Sequence, residues 1–195
     1  MSAARRAETT ARFSLNNLGQ TEIASRLVDQ RLDFGLLGDD PTQAGIEATV
    51  IGRTRYIVVV PDQIGTRRGA LTLEDALLSC PHAATSSYLG HLEIVRKLAK
   101  NLGGSFEPEL ECDSISQCTA AVSSGRYAAV LPHWAWQGEH AAPHSICEDV
   151  ALDSMAENLF LAWNPRSVES RGAKAKEIKM ILENQIKSML NDESL

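Results

Sequence analysis

Two short hydroxyl-rich segments carry the residue types and spacing that suit recognition chemistry, Thr85-Ser86-Ser87 and Ser114-Ile115-Ser116. Each leads directly into a stretch with helical periodicity, so its hydroxyls and N–H groups fall at a helix N-terminus. Unpaired N–H groups and the helix dipole there favour an anion or a carboxylate. The same serines also serve as plain N-caps, and both readings stand at this level. Gly38 and Asp39 close one short apolar stretch, and Pro132 and Trp134 close another. In open α/β folds the carboxyl ends of strands border the ligand site, which makes these four further candidate contacts. Trp134 and Trp136 fit a core position as well as a ligand wall.

Covalent and metal chemistry find little support. The sequence contains no GxSxG, GxGxxG, Walker A or HExxH motif. His140, His144 and Cys147 have a spacing that could touch one metal, but no fourth ligand accompanies them, so no metal or cofactor is expected. The four cysteines (Cys80, Cys112, Cys118 and Cys147) form no CxxC pair and read as small buried hydrophobes in a reducing compartment. Cys112 and Cys118 have no neighbouring Lys, Arg or His to lower a thiol pKa. With no identifiable nucleophile or acid–base pair, the chain is not expected to be an enzyme.

The elements that must position the candidate contacts follow from periodicity. Phe13 and Leu15 alternate with polar residues, which predicts a strand over 12–17. A helix capped by Thr21 follows, with Ile23, Leu27 and Val28 apolar, and then strands over 33–37 and 47–51. Residues 56–60 are continuously apolar, as expected of a strand buried on both faces and ended by Pro61. This strand–helix–strand opening predicts parallel pairing. A short helix over 71–78 carries Thr72 as its cap, and a strand over 83–87 leads into a helix beginning near Tyr88. Leu92, Val95, Leu98, Ala99 and Leu102 form that helix's apolar face, stopped by Gly103-Gly104. A strand over 106–112, a helix to Ser123 closed by Gly125, and a strand over 127–131 complete a second α/β cluster. The pattern weakens over 140–149, a strand returns at 159–163, and one amphipathic helix over 171–190 closes the chain. Two α/β clusters with a late return strand predict two lobes sharing crossover strands.

Composition bounds the partners. The 195 residues are 44% hydrophobic and 23% charged, with a formal net charge of −6. That is globular composition, and the acidic balance argues against a nucleic-acid surface. No window approaches the ~18 apolar residues of a membrane span, and the polar start lacks a signal-peptide core, so a cytoplasmic location is expected.

Four segments, taken in order, resemble a family. LVDQRLDFGLLG (27–38), RTRYIVVVPDQ (53–63), LTLEDALLSCP (71–81) and ECDSISQCTAAVSSGRYAAVLP (111–132) resemble the effector-binding domain of LysR-type transcriptional regulators. The resemblance spans 12–165. It implies an α/β fold of two Rossmann-like lobes joined by crossover strands, like type 2 periplasmic binding proteins. The first lobe would comprise 1–60 and 156–195, and the second 61–155. It further implies a small anionic effector held in the inter-lobe cleft by the residues named above, and a homodimer. DNA contact would come only through a helix-turn-helix domain that this chain lacks. The match begins at the family's second strand, so its first strand and helix also look missing. An interaction module that pairs with other regulator subunits through an exposed sheet edge is an alternative, as is a stand-alone cytoplasmic solute-binding protein.

Overall fold

The computed structural model describes residues 12–38, 40–41, 45–65, 71–85, 91–136 and 143–191. In chain order its first elements are α1 (Gln20–Val28), β1 (Phe34–Leu37), β2 (Glu47–Thr54), β3 (Tyr56–Pro61), α2 (Leu73–Leu78), β4 (Ala83–Thr85) and α3 (His91–Asn101). β5 (Leu110–Cys112), α4 (Ile115–Ser123), β6 (Ala129–Pro132), β7 (His144–Cys147), β8 (Glu157–Trp163), α5 (Pro165–Arg171) and α6 (Ala173–Asn191) follow. Short 3-10 turns occupy His133–Trp136 and Val150–Met155. The chain divides into one unit of Met1–Arg53 with Glu157–Leu195 and a second of Thr54–Ala156.

The second unit is organised by β3. All six of its residues are buried, and they alternate between two cores. Tyr56, Val58 and Val60 pack with Leu73, Ala76 and Leu77 of α2 and Leu92, Val95, Leu98 and Ala99 of α3. Ile57 and Val59 pack on the other face with Ile115, Cys118 and Val122 of α4 and with Trp136. This is the two-residue period of a strand covered by helices on both sides. β3 runs antiparallel to both neighbours, with Val58 opposite Val130 of β6 and Cys147 of β7. β4 and β5 pair in parallel, and a parallel bridge between His82 and Ala128 joins β4 to the segment entering β6. α2 starts as expected, with the Thr72 hydroxyl accepting from Asp75 N at 3.1 Å. Gly125, at φ +79°, turns the chain out of α4 in a conformation that side chains resist.

In the first unit the sheet order is β1-β8-β2. Leu27 and Ile23 of α1 cover one face of it, against Leu37 and Ala162. Leu182, Ile186 and Leu190 of α6 cover the other, against Ile51, Leu159, Leu161 and Phe34. Gly35 permits the close approach of α1, since a Cβ there would collide with Ile23 Cγ2. Buried Asn164 ties the layers together. Its Oδ1 caps α5 by accepting from Arg166 N at 3.0 Å, and its Nδ2 donates to the Leu27 carbonyl at 3.1 Å at the end of α1.

Several expectations change. Residues 12–19 form no strand, because Phe13 and Leu15 are exposed and no strand among the described residues pairs with them. Thr21 lies inside α1, whose N-cap is Gly19 with no side-chain cap. The opening is not parallel: β1 pairs antiparallel with β8, a partner more than a hundred residues away whose pairing local periodicity does not encode. The segment 56–60, placed in the first lobe by the resemblance, has its strand neighbours β6 and β7 in the second unit. The strand expected over 106–112 is only Leu110–Cys112, with Phe106 buried ahead of it in the core, edge-on to His82. The weak stretch over 140–149 contains β7, and the closing helix is two helices divided at Gly172, whose φ is +72°.

Two buried histidines make the second unit acid-sensitive. His82 donates from Nε2 to the Ala76 carbonyl at 2.8 Å, and burial lowers its pKa to about 4 despite that bond. His91, stacked obliquely on Tyr56, is likewise lowered to about 4 by burial. Both lie below the ordinary value of 6.5, so between pH 6.5 and 4 the unfolded chain binds more protons than the folded one. Stability is whole above pH 6.5 and falls as the pH drops, by about 2 kcal/mol per histidine at pH 5. Urea midpoints measured from pH 7 to 5 should show this decline, and His91→Phe should remove about half of it. Asn164→Ala should cost about 2 kcal/mol in urea unfolding, as both a cap and a buried hydrogen bond are lost.

Candidate ligand-binding site

The parallel pairings bring three strand ends to one edge of the second unit. In the β4–β5 register Thr85 lies opposite Cys112, so both strands finish side by side. The parallel bridge at His82 and Ala128 orients β6 the same way, so Pro132 ends it on the same edge. Thr85 is fully buried, and Ser86 and Ser87 lie outside the described residues.

The segment after β5 is shaped by its own side chains. Ser114 is extended (φ −155°, ψ 158°) and caps α4, its Oγ accepting from Gln117 N at 3.3 Å. Gln117 Oε1 in turn accepts from Asp113 N at 2.8 Å. This Ser-x-x-Gln exchange is a capping box shifted by one donor, and Gln117 is a positioning residue that sequence reasoning missed although the spacing was readable. The Ser114 hydroxyl keeps its proton for donation. The N–H groups of Ile115 and Ser116 meet no acceptor among the described residues, as the geometry of a first helical turn dictates. Ser116 is exposed, whereas the Ile115 side chain belongs to the core, leaving only its N–H to the site. Glu111 and Asp113 are exposed beside these donors, so the field combines a helix N-terminus with nearby carboxylates.

The remaining predicted contacts separate. Pro132 is buried opposite Tyr56. Trp134 is half-buried, with its Nε1 enclosed and without an acceptor among the described residues. Trp136 is a core residue, 2% exposed, donating from Nε1 to His144 Nε2 at 3.0 Å. Gly38 lies in the first unit at the end of β1, where its N–H is taken by Gln20 Oε1 at 3.1 Å. Asp39 lies outside the described residues.

Reactive chemistry is not favoured at this edge. Burial first, then the neighbouring Cys112, pushes the Cys118 thiol up to about 12, which keeps it protonated. His144 and Cys147 stand three apart on β7 and so point to opposite faces of the strand, while His140 is outside the described residues. No group of three His, Cys, Asp or Glu that could hold a metal ion occurs among the described residues.

Comparison with known proteins gives the architecture a family. Residues 1–176 match the family model described as the LysR substrate binding domain. No curated protein matches the chain. Among solved structures the chain is similar to the bromide-bound regulatory domain of HypT from Salmonella typhimurium, with 16% identity and a TM-score of 0.67 over 96% of this chain and 87% of that one. HinK, a LysR family transcriptional regulator from Pseudomonas aeruginosa, is 17% identical with a TM-score of 0.64, over 97% of this chain and 64% of that one. The regulatory domain of MexT, a transcriptional activator in Pseudomonas aeruginosa, is 19% identical with a TM-score of 0.61, over 87% of this chain and 78% of that one. The chain spans about half of two longer relatives, 53% of CbnR and 52% of a putative LysR family regulator from Pseudomonas aeruginosa. At such identities the likeness establishes the fold, the α/β architecture of type 2 periplasmic binding proteins. No helix among the described residues is long and apolar enough to cross a membrane. With the family model matching most of its length, the chain belongs to the LysR substrate-binding domain family, the effector-binding domains of transcriptional regulators.

Proposed function

We propose that this chain is the effector-binding module of a transcriptional regulator and that it takes a small, singly charged anion at the carboxyl ends of β4 and β5. The observation that carries this reading is the parallel register of Thr85 with Cys112, which sets two strand ends beside the N-terminus of α4. The donors offered there are the Ile115 and Ser116 N–H groups and the Ser114 hydroxyl. Such a set suits a carboxylate or halide, because N–H groups at a helix N-terminus and the dipole favour one negative charge. The adjacent Asp113 and Glu111 disfavour a multiply charged ligand. The bromide bound to the HypT regulatory domain supports an anion as the ligand class. DNA contact in this reading falls to another segment of the regulator, consistent with the net charge of −6 here. The ligand acts by shifting the population between two arrangements for which it has unequal affinity.

A thermal-shift screen of the chain against monocarboxylates, amino acids and halides tests the proposal. A ligand at 100 times its dissociation constant adds about 2.7 kcal/mol, a rise in Tm of roughly 5 to 10 °C for a chain of this size. Ser114→Gly retains most of the capping stability, since glycine is a tolerated N-cap, but removes the hydroxyl. It should weaken the selected anion roughly ten- to a hundredfold, as loss of a hydrogen bond to a charged group implies. Unchanged affinity in that variant would refute the site.

A further inference from the structure

Two thiols meet at the start of α4. Cys112 ends β5, held by the parallel register that sets it opposite Thr85. Cys118 lies in α4, where its N–H donates to the Ser114 carbonyl at 3.2 Å. The turn between them is pinned as well, since Gln117 bonds both Asp113 N and Ser114 Oγ. In this frame the Cys112 thiol lies within hydrogen-bonding reach of the Cys118 thiol. Both side chains pack in the core with Ile57 and Val59. Cys118 is 2% exposed and Cys112 only partly buried, so the pair is reached from the Cys112 side. Cys80 and Cys147 belong to the core on the opposite face of β3.

Two uncharged sulfur donors facing each other in an apolar wall suit few partners. No lysine, arginine or histidine occurs between Ser105 and Gly125, so nothing in the local sequence holds a free thiolate. A bound metal overrides that, because a coordinating thiol gives up its proton outright. Structural zinc takes four ligands, and no group of three His, Cys, Asp or Glu that could hold a metal occurs among the described residues. Soft sulfur ligands select Cu(I), a closed-shell ion that two sulfurs in a line can satisfy. The charges balance simply: two thiols and Cu(I) give a bis-thiolate complex with one negative charge and release two protons. That charge falls beside the N-terminus of α4, where the dipole and the Ile115 and Ser116 N–H groups favour it.

We propose that Cys112 and Cys118 form a two-coordinate site for Cu(I), with no ligand from elsewhere in the chain. The meeting of two sulfurs held by backbone hydrogen bonds carries the inference, since a preorganised pair needs little rearrangement to take an ion between them. The site does not depend on the anion reading, whose hydroxyl and N–H donors are not ligands here.

The test uses the full chain, reduced and free of oxygen, titrated with Cu(I) against bicinchoninate as a competing chelator. One copper per chain should be retained, and native mass spectrometry should find the chain plus one copper less two hydrogens. Cys112→Ser and Cys118→Ser should each lower copper affinity by more than about a hundredfold, since disturbing the groups around a ligand already costs up to that much. Cys80→Ser and Cys147→Ser together should leave it unchanged. X-ray absorption at the copper edge should show two sulfur neighbours and no third. In the unsubstituted chain copper should protect Cys112 from alkylation, a readout that requires no variant to fold. Loss of copper to the chelator, or equal retention by the Cys112→Ser and Cys118→Ser variants, would overturn the site. A Cys112–Cys118 disulfide formed in place of the complex would overturn it in favour of a redox pair.

Discussion

A strand with no solvent-facing residue has to be covered on both faces, and β3 is such a strand. Covering it determines most of the second unit. Tyr56, Val58 and Val60 require the α2 and α3 layer, and Ile57 and Val59 require α4 and Trp136. Helices on both faces impose long connections, and those connections allow β4 and β5 to run parallel. Parallel strands finish together. The Ser114 turn and the first N–H groups of α4 then stand at the same edge as Thr85, so the geometry of the proposed site derives from the way a fully apolar strand is buried.

Local chemistry made part of this readable in the sequence. The apolar face of α3, the Thr72 and Ser114 caps and the turn at Gly125 depend on neighbours within one or two helical turns, and the structure has them where periodicity placed them. What was not readable depends on distant partners. The antiparallel β1–β8 pair joins opposite ends of the chain. β7 carries the sequence His-Ser-Ile-Cys, with little apolar alternation, and is a strand because it lies against β3. Phe13 and Leu15 show the converse, a strand pattern that finds no partner among the described residues. The split between α5 and α6 turns on Gly172 and the Asn164 cap, which a continuous apolar stripe conceals.

The candidate site shows the same division. Ser114, Ile115 and Ser116 were legible because a capping motif is local, and the structure gives them the predicted place at the start of α4. Trp134 and Trp136 were ambiguous because an indole serves a wall or a core equally well. The structure separates them, with Trp136 committed to His144 and the core and Trp134 left with an enclosed, unpaired N–H among the described residues. The candidate site is thus a helix N-terminus beside exposed carboxylates in the second unit. In the proposed reading small-anion recognition rests on that helix N-terminus, since preorganised N–H donors need no side-chain cation.

The most direct test of the central claim is a nitrogen-15 NMR titration of the chain with the anion that most raises its Tm. The account predicts saturable shifts at the Ile115 and Ser116 amides, with one dissociation constant and no comparable change among the amides of the first unit. Saturation elsewhere, with those two amides unmoved, would contradict the assignment of the strand ends of β4 and β5 as the effector site.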